Sequence, residues 1–409
     1  MSQFGLLRAP GAILFGAGQR HAVGRAARQH GSRALICTDK RLASLPDLAE
    51  LQQNLKAAGV ESLVFDDTQP DVPRECVDRC VEHARGFAPN LVIGIGGGSC
   101  IDLAKVTALL LTHGGDLSTY YGEFRVPGPV LPLIAIPTTA GTGSEVTPVA
   151  VVSDAERTLK VGISSPHLVA HTAICDPELT YGCPPMLTAT VGADALTHAI
   201  EAFTALRRAP QSDLADTHVF VGKNVLSDQF ALRAIACIAP YLAAAVSDGQ
   251  NVKARSKLML GSLLAGLAFG TAGTAAAHAI QYPVGALTHT AHGVGVAALM
   301  PYVMEFNRSA CTSEFAQIAE AFGVTRAGRS LEKLADTAIE EVASLFASVG
   351  IPPTLADLGL PEPKLQWTAE QAMGAARLVK NNPRPLDVDK VLRIVEAAFA
   401  GDRSSLRFS

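Results

Sequence analysis

The chain has 409 residues, 48% of them hydrophobic and 18% charged, with 36 Gly and 24 Pro. That balance excludes a disordered or fibrous protein and fits a globular enzyme of two domains or one very large one. A formal net charge of only -4, with no basic stripe and no run of like charges, gives no support to nucleic-acid binding, which draws its affinity from counterion release.

The opening residues, MSQFGLLRAPGAILFG, hold neither a long apolar core nor a small-residue cleavage signal, so a cytoplasmic enzyme is expected. Apolar runs at residues 12–15, 34–37, 62–65, 91–95 and 133–136 predict strands, with helical stretches between several of them. Helical crossovers between strands imply a parallel sheet, so the first half reads as a Rossmann-like α/β nucleotide-binding domain. After Asp176-Pro177 and Pro184-Pro185 the strand signals stop, and Ala/Leu-rich helical patterns run almost to the end. The expected division is an α/β domain over residues 1–184 and an all-α domain over 185–409, with a ligand cleft between them.

Asp39 ends the 34–37 strand, about 20 residues beyond the Gly16-x-Gly18 turn, where a carboxylate can accept a hydrogen bond from a ribose 2′-hydroxyl. An exposed Asp closing a strand is equally ordinary. The eight cysteines, Cys37, Cys76, Cys80, Cys100, Cys175, Cys183, Cys237 and Cys311, contain no Cys-x-x-Cys pair and are too sparse for a disulfide framework. Buried thiols are expected; Cys76 and Cys80 stand one helical turn apart, but no second soft pair lies nearby to complete a metal site.

Residues 90–105, NLVIGIGGGSCIDLAK, predict a strand, then Gly96, Gly97 and Gly98, then Ser99 opening a helix. Such a turn lets backbone N–H groups approach a phosphate at the positive end of a helix dipole, and it also serves purely structural ends. It is neither the Rossmann fingerprint, because Ser99 stands where the last glycine belongs, nor a P-loop. The second turn, Pro137-TTAGTGSEVTP, follows another apolar strand and offers the hydroxyls of Thr138, Thr139, Thr142 and Ser144. These suit phosphate and ribose, or a solvated Thr/Gly loop.

In the helical half, GADALTHAIEAF over residues 192–203 puts Asp194 and His198 four apart, on one helix face. His278 precedes Pro283 and His292 follows a glycine-containing loop, so two imidazoles from neighbouring elements can close the same site. One carboxylate and three imidazoles suit Fe2+ or Zn2+, although a lone His on an apolar helix is otherwise a satisfied core residue. His167 and His171 share the four-residue spacing, but in a segment that reads as loop and strand. Residues 258–304 contain no Asp, Glu, Lys or Arg. Their Ala, Gly and Thr content, their three histidines and a break at Pro283 point to buried helices of a soluble core, not a membrane span.

Together these segments resemble the iron-containing (group III) alcohol dehydrogenase family across nearly the whole chain. The resemblance implies an NAD-linked enzyme acting on a small alcohol or aldehyde, a homodimer, with Fe2+ as metal and Zn2+ as the alternative. It implies that Asp194, His198, His278 and His292 are the metal ligands, and that Gly96, Gly97, Gly98, Ser99 and Asp102 form the pyrophosphate segment. Thr138, Thr139 and Thr142 match the second nucleotide loop, Asp39 the acidic residue that prefers NAD to NADP, and Lys160 and Leu179 positions lining the cofactor. Three features depart from the family: Pro70-Asp71 replaces Pro-Asn, Tyr282 stands where many members carry a second histidine, and the connection at residues 206–228 looks longer. The sister group of glycerol dehydrogenase and dehydroquinate synthase shares the layout, and a silent metal- or nucleotide-binding protein is the rival of a different class. The His278 spacing and the Thr138-Thr139-x-x-Thr142 loop favour the dehydrogenase.

Overall fold

The computed structural model describes residues 4–156 and 160–407. The chain divides into two compact units. One takes in Arg8–Gly182 with Asp216–Val219; the other takes in Cys183–Ala215 and the chain from Phe220 onward, with the N-terminal residues up to Leu7.

Among the described residues the first unit is built on nine strands: β1 (Ala12–Phe15), β2 (Arg33–Cys37), β3 (Glu61–Phe65), β4 (Leu91–Gly96), β5 (Gly122–Glu123), β6 (Leu133–Pro137), β7 (Val149–Val152), β8 (Val161–Ser164) and β9 (Thr172–Cys175). Six form a wholly parallel sheet in the order β1-β9-β6-β4-β2-β3, and β5, β8 and β7 form a small second sheet. β4 and β6 are buried at every position, which is why they read as unbroken apolar runs. Along β2 the two faces alternate. Ala34 and Ile36 pack with Val23, Ala27, Leu51 and Leu55 from the helices Val23–His30 and Pro46–Ala57. Leu35 and Cys37 pack on the other side with Val77, Cys80, Ile101 and Ala104 from Arg74–Arg85 and Gly98–His113. Helices on both faces of a parallel sheet make this the predicted α/β fold.

Five of these strands are the predicted apolar runs, and β9 falls in the segment around His171 that reads as loop and strand; β5, β7 and β8, two to four residues long, are not among those expected. β3 and β4 lie on opposite sides of β2, so the strand order reverses between β2 and β4. In open α/β sheets ligands bind beyond the carboxyl ends of the strands at such a switch point. Here those ends deliver Asp39 and Gly96 to Gly98.

The second unit is helical. Among its helices are Pro185–Thr204, Val225–Ile238, Val252–Ala272, Ala276–Thr288, His292–Asn307, Leu331–Ser348 and Val388–Ala400. Close packing relies on missing side chains: a Cβ on Gly293 would lie 2.4 Å from the Thr190 carbonyl oxygen, so the first turn of His292–Asn307 sits directly against Pro185–Thr204. The expected break at Pro283 does not occur. Pro283 is buried inside Ala276–Thr288, and the N–H it lacks is the one that would have reached the carbonyl four residues back, a loss of about 3 kcal/mol that surrounding packing offsets. Tyr282 therefore stays on the His278 helix, one turn on. No single helix among the described residues is long and apolar enough to cross a membrane. The pair Val252–Ala272 and Ala276–Thr288 meets that length and composition only jointly and is bent by 101°.

Candidate functional site

The helical unit brings the predicted ligand side chains together. Pro185–Thr204 presents Asp194 and His198 on one face, both buried, with Asp194 Oδ1 3.7 Å from His198 Nε2. His278, in the first turn of Ala276–Thr288, places its Nε2 also 3.7 Å from Asp194 Oδ1. The His198 ring stacks on Phe269 at 4.2 Å and on His278 at 4.7 Å, and the His278 ring lies 5.2 Å from that of half-buried His292, the first residue of its helix. Asp194, His278 and His292 each offer a ligand atom, all within 4.8 Å of one another. His198 touches this trio through Asp194 and His278 without joining that tight set.

Two buried atoms of the cluster, Asp194 Oδ1 and His278 Nε2, make no hydrogen bond. A carboxylate oxygen and an imidazole nitrogen desolvated, unbonded and facing each other are costly, and a divalent cation satisfies both. The donor set of one carboxylate and imidazoles fits Fe2+ or Zn2+. Burial works against ionisation of Asp194, but His198, His278 and His292 outweigh it and hold the carboxyl below its usual range. Burial likewise opposes charge on His278, which Glu201 and Asp194 overcome in the metal-free protein, raising it to about 9; a cation bound at Nε2 would take the place of that proton and leave the ring neutral.

Glu201 is the residue that sequence reading missed. It is 1% exposed and accepts hydrogen bonds from Ala275 N at 2.8 Å, Ala277 N at 2.7 Å and His278 Nδ1 at 2.6 Å. Its signal was present as the third titratable position, after Asp194 and His198, on one stripe of an otherwise apolar helix. Tyr282 faces the same cluster, its ring 6.2 Å from that of His292. Burial pushes its phenol above the ordinary value.

In the sheet unit the two turns lie side by side. Thr138 N donates to Gly96 O at 2.9 Å, and a Cβ on Gly98 would meet Thr142 Cγ2 at 2.8 Å. Gly97 is open to the same neighbour turn, with Thr139 Oγ1 3.8 Å from where its Cβ would stand. Gly96 has φ +148, and a Cβ there would strike Cys100 Sγ at 2.4 Å, so the strand can turn sharply only with glycine. Asp102 is tied beneath both turns, accepting from Ser144 Oγ at 2.5 Å and Val151 N at 3.0 Å. Asp39 caps the short helix Lys40–Ala43 through Leu42 N at 2.9 Å. Ser99 Oγ accepts from Asp71 N at 3.3 Å, and Lys160 Nζ donates to Asp71 Oδ1 at 2.5 Å. The charge of Asp71 is thus held by Lys160. Leu179 packs on the apolar layer of Ile95 and Ile136. The eight cysteines are all buried thiols.

A buried charge set underlies the second turn. Lys105 donates to Thr147 O at 2.8 Å and Val149 O at 2.7 Å, and burial lowers it to about 8 against the pull of Asp102 and Glu145. Burial raises Glu145 to about 7. The folded protein therefore keeps this proton between about pH 4.5 and 7 while the unfolded chain releases it, so stability falls as pH rises through that window. Glu145→Gln is expected to remove this component. Denaturant unfolding of variant and parent should diverge from about pH 4.5 to 7, by on the order of 3 kcal/mol in favour of Gln, and run parallel above. Parallel profiles throughout would show that Glu145 is ionised in the fold.

The iron-containing alcohol dehydrogenase model matches residues 10–177, and the model of the C-terminal part of Fe-containing alcohol dehydrogenases matches residues 188–399. Long-chain-alcohol dehydrogenase 1 of Geobacillus thermodenitrificans is 39% identical over 370 residues, 90% of this chain and 89% of that protein. The NAD-dependent methanol dehydrogenase of Bacillus methanolicus is 34% identical over 95% of this chain and 98% of its own. A crystal structure of 1,3-propanediol oxidoreductase superposes with a TM-score of 0.90 at 34% identity, covering 97% of this chain and 100% of that one. The chain belongs to the iron-containing alcohol dehydrogenase family. It is an oxidoreductase that acts on alcohols and their carbonyl products.

Proposed function

We propose that this enzyme interconverts a small alcohol and its aldehyde or ketone, with NAD as hydride carrier and Fe2+ as resident ion, Zn2+ being the alternative. The observation that carries the reading is the meeting of Asp194, His278 and His292, with buried unbonded atoms on the first two; His198 is the fourth ligand. The bound ion supplies Lewis acidity to the substrate oxygen.

The chain's own residues bind and orient the cofactor. Gly96, Gly97, Gly98 and Ser99 offer backbone amides at a helix N-terminus to the pyrophosphate, Thr138, Thr139 and Thr142 add hydroxyls, and Asp39 accepts from the adenosine ribose. Asp102 holds the second turn in place through Ser144. Lys160, anchored on Asp71, and Leu179 line the cofactor. Residues 1–184 act as the NAD domain and 185–409 as the metal and substrate domain. The reading includes a cytoplasmic homodimer with neither a nucleic-acid nor a membrane partner. It is tested by NADH formation with a panel of alcohols on protein reconstituted with Fe2+ or Zn2+, with sedimentation for the dimer. Absence of metal-dependent NADH formation with every alcohol would overturn it.

Tyr282 serves as a packing and substrate-orienting group, because a buried phenol with a raised pKa is a poor proton acceptor near neutrality. Tyr282→Phe is expected to change KM ratios among alcohols by several-fold and leave kcat for the best substrate nearly intact. A collapse of kcat with unchanged KM ratios would instead make Tyr282 a participant in proton transfer.

A further inference from the structure

We infer that Glu201 is a positioning residue for the metal centre, fixing His278 as the Nδ1–H tautomer so that its Nε2 lone pair is directed at the ion. The inference rests on the metal-centre reading above and extends it to a residue that is not itself a ligand.

The surroundings of Glu201 restrict what it can do. It is almost wholly inaccessible, yet both its oxygens are used: Oε2 accepts from Ala275 N and faces His278 Nδ1, and Oε1 accepts from Ala277 N. A carboxylate already accepting from two amides has only acceptor sites to offer a third partner. The 2.6 Å contact to His278 therefore requires a proton on Nδ1. In a neutral imidazole that leaves Nε2 as the acceptor nitrogen, and Nε2 is the atom that is buried, without a hydrogen bond, and 3.7 Å from Asp194 Oδ1. A histidine ligand whose other nitrogen donates to a carboxylate has its ring orientation fixed and its basicity raised.

Position strengthens the point. Asp194, His198 and Glu201 fall at i, i+4 and i+7 of one helix, so a single face supplies two ligands and the orienting group for a third. Ala275 and Ala277 bracket the start of Ala276–Thr288, a helix end with no side-chain cap of its own. Glu201 thus holds the backbone that carries His278 and the His278 ring at once. The amide bonds alone would be a structural cap; the ring contact is what makes the residue part of the metal centre.

The test uses the full-length protein with 15N-labelled histidine and bound Zn2+, which is diamagnetic, together with zinc affinity from chelator competition. In the parent, a strongly hydrogen-bonded Nδ1–H resonance should be present and should vanish in His278→Ala, which assigns it. Glu201→Gln presents a neutral amide that must aim its NH2 at either Ala277 N or the ring. It should displace that resonance and weaken zinc binding by about 10- to 100-fold. Glu201→Asp, which keeps the charge on a shorter stem, should recover part of the affinity. A residue acting only as a helix cap would lower the melting temperature of the metal-free variant and leave the Nδ1–H resonance and zinc affinity of the folded protein unchanged, which overturns the inference. Ligation through Nδ1 in the parent overturns it as well, a result that stands even if both variants fold poorly. The parent reading fails separately: His278→Ala binding zinc as tightly as the parent would remove the metal centre, not merely the role of Glu201.

Discussion

Replacing Asp194, His278 or His292 by Ala is expected to strip the metal and abolish turnover. These three side chains bring ligand atoms within 4.8 Å of one another, and Asp194 is the sole anion among them. Its loss leaves only the imidazoles of His198, His278 and His292, the first two buried, with no anionic ligand to offset the cation. Loss of an outer partner alone costs about 10- to 100-fold in metal affinity; loss of a direct ligand from an open site should cost more. His198→Ala should show the smallest effect of the four, because His198 lies outside the tight trio and is also held by stacking on Phe269. Metal content of each purified variant, measured beside its turnover, decides the matter. Variants that keep both stoichiometric metal and parental activity would refute the four-ligand assignment.

The second large effect concerns cofactor choice. Asp39 stands at the carboxyl end of β2, across the switch point from the Gly96 turn at the end of β4. An anion there accepts a ribose 2′-hydroxyl and repels a 2′-phosphate. At about 4 Å each unit of like charge costs from about 1 kcal/mol in water to about 4 kcal/mol at an effective dielectric of 20, so the parent should prefer NAD by roughly one to three decades in kcat/KM. Asp39→Gly should erase most of that preference, lowering NAD use and raising NADP use. The structural cost is small: Asp39 also caps Lys40–Ala43 through Leu42 N, and Gly replaces a capping Asp at a loss of only a few tenths of a kcal/mol. An unchanged NAD to NADP ratio in the folded variant would remove Asp39 from the ribose site.

Spacing and local chemistry by themselves determined the parallel sheet, the glycine and threonine turns, and the Asp194–His198 pair. Strand and helix periods are properties of a few consecutive residues, and four residues on a helix always share a face. They also sufficed to mark His278 and His292 as candidates, through resemblance. What they could not supply was distance across the chain. Only the packed helices bring His278 within 3.7 Å of Asp194, and the His292 helix meets the Asp194 helix at Gly293, which has no side chain to strike Thr190. Pro283 looked like a break because its missing N–H is a local fact, whereas the burial that tolerates it is not. The partners of Asp102 and Asp71 are likewise remote in sequence: Asp102 accepts from Ser144 and Val151, and Lys160 donates to Asp71. Glu201 stood in the sequence only as a carboxylate on the Asp194–His198 stripe, and its role emerges once its partners, 74 to 77 residues away, are folded onto it. Burial and long-range hydrogen bonding are decided by the whole fold, and they turn a list of polar residues into a site.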